Sequence, residues 1–146
     1  MSSLHPGDAL HRLLHAYKRA MREAYRAEQI ALPISHVRAL KGICHGRGTT
    51  VQAIAERMHR DKSQITRVVK ELRAAGLVQS QTDPHDGRAR LLTPTPEGRA
   101  LMQRVTVVER RAGERMMHGL SPQAVAQFLA LTEAMAANLD RPEIAP

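Results

Sequence analysis

Residues 50–95 read TVQAIAERMHRDKSQITRVVKELRAAGLVQSQTDPHDGRARLLTPT. Two amphipathic patterns lie either side of a three-residue break. Two strand-like runs around a turn-rich centre follow. The second pattern predicts a helix from Asp61 to near Ala75. Asp61 is a suitable N-cap, and Gln64, three residues on, can complete a capping box. Gly76 is a C-terminal stop, with Leu77 as the apolar residue that often accompanies one. Ile65, Val68, Val69 and Leu72 fall at i, i+3, i+4 and i+7, a single apolar stripe. Ser63, Thr66, Arg67, Lys70 and Ala74 lie opposite it.

That opposite face has the chemistry of a DNA reader. An arginine such as Arg67 can bind guanine bidentately, and Ser63 and Thr66 can bond base edges or phosphates. Gln64 sits to one side and can cap the helix, read adenine or do neither. An ordinary solvated helix face is the bland alternative. The preceding segment argues against it. Thr50 to His59 predicts a shorter helix capped by Thr50, with Val51, Ile54, Ala55 and Met58 inward. Ala55 is small enough for a close helix crossing. The turn His59-Arg60-Asp61 is short enough for a helix-turn-helix. Its first residue is often glycine, because the backbone turns left-handed there, and histidine tolerates that better than most residues.

Leu77 to Thr82 and Arg88 to Thr93 predict a hairpin. Asp83-Pro84-His85-Asp86-Gly87 forms its turn. Arg88 and Arg90 share parity on the returning strand. An arginine near such a tip can enter a minor groove, and Asp86 is placed to hold the Arg88 guanidinium. An exposed loop ion pair, worth little, is the alternative. Together these elements predict a mainly α fold with a small β-wing, a winged helix-turn-helix.

The same residues resemble the MarR family of bacterial regulators. The resemblance is carried by Ile54-Ala55-Glu56-Arg57-Met58, by Asp61 through Leu72, by Gly76-Leu77-Val78, by Asp83-Pro84-His85-Asp86-Gly87-Arg88 and by Thr95-Pro96-Glu97-Gly98. The family's wing signature is Asp-x-Arg, then Leu-Thr-x-x-Gly after a short strand. Asp86-x-Arg88 and Thr95-x-x-Gly98 match it, whereas Pro94 stands where the leucine belongs. Proline offers no N–H, so the last rungs of the second strand are expected to weaken.

The flanks predict further helices. Asp8 to Gln29 carries Leu10, Leu13, Leu14, Tyr17, Met21 and Tyr25 along one side. Pro33 to His45 points Val37, Leu40, Ile43 and Cys44 inward, and Gly46-Arg47-Gly48 breaks the chain. Thr95 with Pro96 opens a helix running to about His118, about 35 Å at ~1.5 Å per residue. Ser121-Pro122 opens a last helix with Val125, Phe128, Leu129, Thr132, Met135 and Leu139 as its stripe. Residues 140–146 read as a frayed tail. The flanks hold more apolar surface than one small winged domain can cover. Residues 1–31 and 96–146 are therefore expected to form a dimerisation region around a DNA-binding region, 32–95, within one continuous compact domain. A two-fold dimer matches inverted half-sites in duplex DNA.

Composition narrows the function. The 146 residues carry a net charge of +8, which suits a polyanionic partner. Aromatics make up 2%, too few for the stacking platforms of single-strand binders. The chain start lacks a long apolar run, so neither signal peptide nor membrane span is expected. Cys44 is the only cysteine, which excludes an internal disulfide and fits a reducing cytoplasm. No P-loop, dinucleotide fingerprint, nucleophile elbow or HExxH motif is present, so no enzyme is expected.

DNA contacts are expected from Thr49, Thr50, Lys62, Ser63, Gln64, Thr66, Arg67, Lys70, Asp86, Arg88 and Arg90. The resemblance implies a repressor released by a small molecule lodged between the dimer helices and the reading domain. His11, His15, Tyr17, Tyr25 and His36 are candidate polar linings, although such residues are more often ordinary core or surface groups. One branch of the family senses peroxide through a first-helix cysteine; Cys44 lies in the second helix and is expected to be inert. Cys44-His45 with His36, and Glu114 with His118, offer metal-ligand types at weak spacing, so neither metal nor cofactor is expected. A winged helix that docks a protein, or a nonspecific architectural DNA binder, are the competing functions.

Overall fold

The computed structural model describes residues 5–87 and 90–143. In chain order the elements are α1 (Pro6–Ala27), α2 (Ile34–Cys44), α3 (Val51–Met58), α4 (Lys62–Ala74), β1 (Val78–Thr82), β2 (Arg90–Pro94), α5 (Pro96–Met116) and α6 (Pro122–Asp140). Two compact units result, one ending at Ala112 and one beginning at Gly113.

In the first unit, one core joins α2, α3, α4 and the hairpin. Leu40, Ile43, Ile54, Ala55, Ile65, Val69, Leu72, Val78 and Leu92 are buried together, with Val51, Met58 and Val68 at its margin. The predicted stripes of α3 and α4 are thus the faces that pack. A second cluster unites α1, α2 and α5 through Met21, Tyr25, Ile30, Val37, Val105 and Val108.

Sequence-local chemistry sets the boundaries. Thr50 caps α3, its Oγ1 accepting from the Ala53 amide at 3.1 Å. His59 ends α3 at φ 52°, ψ 47°, the left-handed conformation expected of it. Its N–H and that of Arg60 return to Glu56 and Ala55 at 3.2 and 3.0 Å, which satisfies the last carbonyls of the helix. Gly76, at φ 76°, does the same for α4: Gly76 and Leu77 donate to Arg73 and Leu72, both at 3.0 Å.

Two expectations are corrected. Asp61 holds the N-cap backbone position, but its carboxylate makes no capping hydrogen bond, so no capping box with Gln64 forms. Pro94 does not weaken the hairpin. β1 and β2 pair antiparallel with Val78 opposite Pro94 and Ser80 opposite Leu92. Hydrogen-bonded and non-bonded pairs alternate in such a ladder. Thr95 donates to the Leu77 carbonyl at 3.1 Å, so Pro94, one residue earlier, occupies a non-bonded position. Its missing N–H faces away from β1. Leu92, of the same parity, turns its N–H and C=O outward to Thr49, at 2.7 and 3.2 Å.

The junction of hairpin and α5 is tight. Thr95 Oγ1 donates to the Gly76 carbonyl at 2.6 Å and accepts from the Gly98 amide at 3.0 Å. Gly98 is buried and lies directly against the Leu77 backbone.

In the second unit, Ser121 caps α6 by accepting from the Ala124 amide at 3.1 Å, with Pro122 opening the helix. No residue of α6 is buried. Its Leu129 and Met135 are more than half exposed, at 58% and 56%, as are Leu131 and Leu139; Leu10 of α1 is too. No helix among the described residues is long and apolar enough to cross a membrane.

Candidate nucleic-acid interface

The core that buries Ile65, Val69 and Leu72 fixes which way α4 faces. Lys62, Ser63, Gln64, Thr66, Arg67 and Lys70 are all exposed on its outer side. Among the described residues, none of Lys62, Arg67 and Lys70 enters an ion pair. Their charges are uncommitted. Thr66 Oγ1 donates to the Lys62 carbonyl at 2.7 Å. Its proton is thus used within the helix, while its oxygen and methyl remain for a partner. Because Asp61 leaves the first turn uncapped, the free amide N–H groups of α4 stay open beside Lys62.

Beside α4 lies an open groove of about 670 Å³, floored by Val51, Val69 and Leu92 and edged by Thr66, Lys70, Arg73 and Arg90. Arg90 thus borders the same groove as Thr66, Lys70 and Arg73 of α4. Sequence reasoning missed Arg73. Its spacing held the signal: Thr66, Lys70 and Arg73 fall at i, i+4 and i+7, one stripe of the helix.

The hairpin tip is closed by the His85 amide donating to Asp83 Oδ1 at 2.8 Å. Asp86 is exposed there. Arg88, and with it the expected Asp86–Arg88 pair, lies outside the described residues. Thr50 is placed as expected at the start of α3, its hydroxyl proton unused by the cap. Thr49 has its backbone N–H and C=O paired with Leu92 and its side chain half-buried.

The five candidate effector residues do not converge. His11 and His15 are exposed on α1, with ring centroids 6.4 Å apart. Tyr17 and Tyr25 share the second core cluster. Burial, then the neighbouring Glu109 carboxylate, pushes the Tyr25 phenol up to about 12; Glu109 also accepts from Lys41 Nζ at 2.7 Å. His36 lies elsewhere. Its Nδ1 meets Ser35 Oγ at 3.2 Å and its Nε2 meets Glu71 Oε2 at 2.5 Å, so it ties α2 to α4.

Cys44 is half-buried, and burial pushes its thiol up despite the opposing charge of Arg99. A protonated thiol is a poor nucleophile. Cys44→Ser should therefore respond to peroxide in a DNA-binding assay as the parent chain does. Loss of a response present in the parent would make Cys44 a sensor.

Comparison with known proteins agrees with this geometry. The MarR family profile matches residues 32–89. A curated relative, the HTH-type transcriptional regulator PetP of Rhodobacter capsulatus, is 32% identical over 101 residues, 69% of this chain and 61% of the relative. The chain thus spans about three fifths of that relative's length. A MarR-family transcriptional regulator from Silicibacter pomeroyi superposes with a TM-score of 0.76 at 27% identity, covering 96% of this chain and 93% of that one. CouR from Rhodococcus jostii, solved bound to p-coumaroyl-CoA, gives 0.79 at 27% identity over 96% and 94%. Helix pair, hairpin and flanking helices all follow one order, and the chain belongs to the MarR family.

Proposed function

We propose that this chain is a dimeric, sequence-specific regulator of transcription that binds duplex DNA, and that it represses until a small molecule releases it. The observation that carries the proposal is the outer face of α4. Six polar side chains stand there in the open, held by a packed inner face and bordered by Arg73 and Arg90 across a groove. In this reading α4 enters a major groove, where Arg67 contacts guanine and Gln64, Ser63 and Thr66 contact bases or phosphates. Lys62, Lys70 and Arg90 supply salt-dependent attraction to the backbone. Arg88 and Asp86 extend the contact from the hairpin tip.

Residues 32–95 form the reading region, and residues 1–31 and 96–146 the dimer region. The unburied apolar faces of α1 and α6 support that division. Two copies would present their α4 helices to half-sites one helical turn apart. Release by an effector is supported by the ligand-bound state of CouR. A ligand that favours one half-site spacing over another suffices.

The test is selection from a random duplex library at about 150 mM salt, a concentration at which nonspecific binding is weak. Enrichment of two inverted half-sites about one turn apart supports the proposal. Recovery without sequence preference assigns the chain to architectural binding, and no recovery by the purified dimer, with and without candidate effectors, assigns it to protein docking. Within the selected site, Arg67→Ala should cost roughly 1–3 kcal/mol and relax preference at one base pair. Unchanged binding would remove Arg67 from the reading face.

A further inference from the structure

Helix α1 carries a second charged surface. At ~100° per residue, Arg12, Lys18, Arg19, Arg22 and Arg26 fall within an arc of about 120°, which borders the side that buries Met21 and Tyr25 at Lys18 and turns away from it towards Arg12. All five are exposed. None enters an ion pair among the described residues. The stripe extends about 21 Å at ~1.5 Å per residue. Acidic residues do little to offset it. Asp8 sits in the first turn, Glu23 at the margin of the arc, and Glu28, just past the helix, is already held by Arg111 at 3.5 Å and, through its carbonyl, by Arg104.

The chemistry of the stripe limits what it can hold. Besides the five cations, the arc contains only Asp8, His11 and His15, so it offers no apolar anchor. Protein interfaces draw most of their energy from such anchors seated in pockets. A lipid surface fits no better. An interfacial helix must sink its apolar side into the bilayer, and here Met21 and Tyr25 are in the core, which leaves only Leu10, Leu13 and Leu14 of the early turns exposed, ahead of most of the cations. What the surface supplies is a row of cations, four of them guanidinium groups suited to phosphate oxygens. A duplex backbone presents phosphates at regular spacing and needs no pocket to be held.

We propose that this face of α1 binds the phosphate backbone of duplex DNA independently of sequence, so that a protein engaged through α4 can hold a second duplex segment. The holding of a second segment rests on the proposed α4 contact; duplex binding by α1 does not depend on Arg67 or Lys70.

The test uses the full chain and a labelled duplex of random sequence, with affinity measured between about 50 and 200 mM salt, the range over which phosphate contacts show their slope. The triple variant Arg19→Gln, Arg22→Gln, Arg26→Gln should lower the slope of log affinity against log salt by about 2–3 and weaken binding about tenfold or more. Replacing the same arginines by lysine should preserve most of the slope. The double variant Arg67→Ala, Lys70→Ala should still capture the random duplex through α1, which separates this proposal from operator reading. Parent protein saturated with an immobilised duplex should retain a second, labelled one, and the glutamine variant should not. An unchanged slope in the glutamine variant, with its fold intact by circular dichroism, overturns the proposal. So does an α1-dependent preference for duplex RNA, an acidic peptide or anionic vesicles over duplex DNA.

Discussion

Gly98→Ala should destabilise the protein by roughly 3 kcal/mol or more, leaving little folded chain at growth temperature. A β-carbon at that position would lie 2.1 Å from the Leu77 carbonyl oxygen and 3.0 Å from its carbon. Both are main-chain atoms held in place. Leu77 donates to Leu72 and accepts from Thr95 at 3.0 and 3.1 Å, so neither strand nor helix can yield without breaking the junction that Thr95 clamps. Denaturant unfolding of Gly98→Ala beside Gly113→Ala provides the check, since a β-carbon at Gly113 would meet no atom within 4 Å. Comparable midpoints for the two variants would mean that the hairpin and α5 separate readily. A large loss at Gly98 alone would show that the wing is fixed to the long helix and not hinged on it.

The double variant Leu10→Glu, Leu14→Glu should convert a dimer into monomers and weaken operator binding about 100-fold or more, about 3 kcal/mol. Leu10 is 59% exposed and Leu14 40%, although both extend the apolar side of a helix whose later turns are buried. Leaving such a row in water is unfavourable by about 25 cal/mol per Å², and a second copy is the partner that two-fold DNA sites call for. Light scattering of parent and variant tests this directly. A monomeric parent at micromolar concentration would remove the dimer from the proposal, whereas a variant that stays dimeric would assign the contact to α6 alone.

The elements between residues 50 and 95 were legible in the sequence because local rules agree there. The stripe of Ile65, Val69 and Leu72, the left-handed demand at His59 and the stop at Gly76 each rest on neighbours within a few residues. The features that local patterns did not show depend on partners far along the chain. Thr49 pairs with Leu92, more than forty residues on. His36 meets Glu71 on α4, 35 residues on. Pro94 looked harmful because the register that turns its nitrogen outward is set by the Leu77–Thr95 bond. Asp61 shows the opposite failure: the residue type was right and the backbone position was right, but the carboxylate turned elsewhere. The expected groups on α4 all lie outward, since one buried stripe fixes the whole helix surface, and Arg73 was overlooked only because its place in the second stripe was not counted.

The outward-facing nitrogen of Pro94 also bears on how this protein behaves when crowded. The unpaired rim of a two-stranded ribbon can template a strand from another molecule, the first step toward fibrous deposits. On β2 the outward positions are 90, 92 and 94. Thr49 already covers Leu92, and proline has no hydrogen to offer at 94. Among the described residues of β2, Arg90 remains, and it brings a charge that repels its own copies. The residue that departs from the family's usual leucine thus removes one donor from the β2 rim to which a foreign strand could pair.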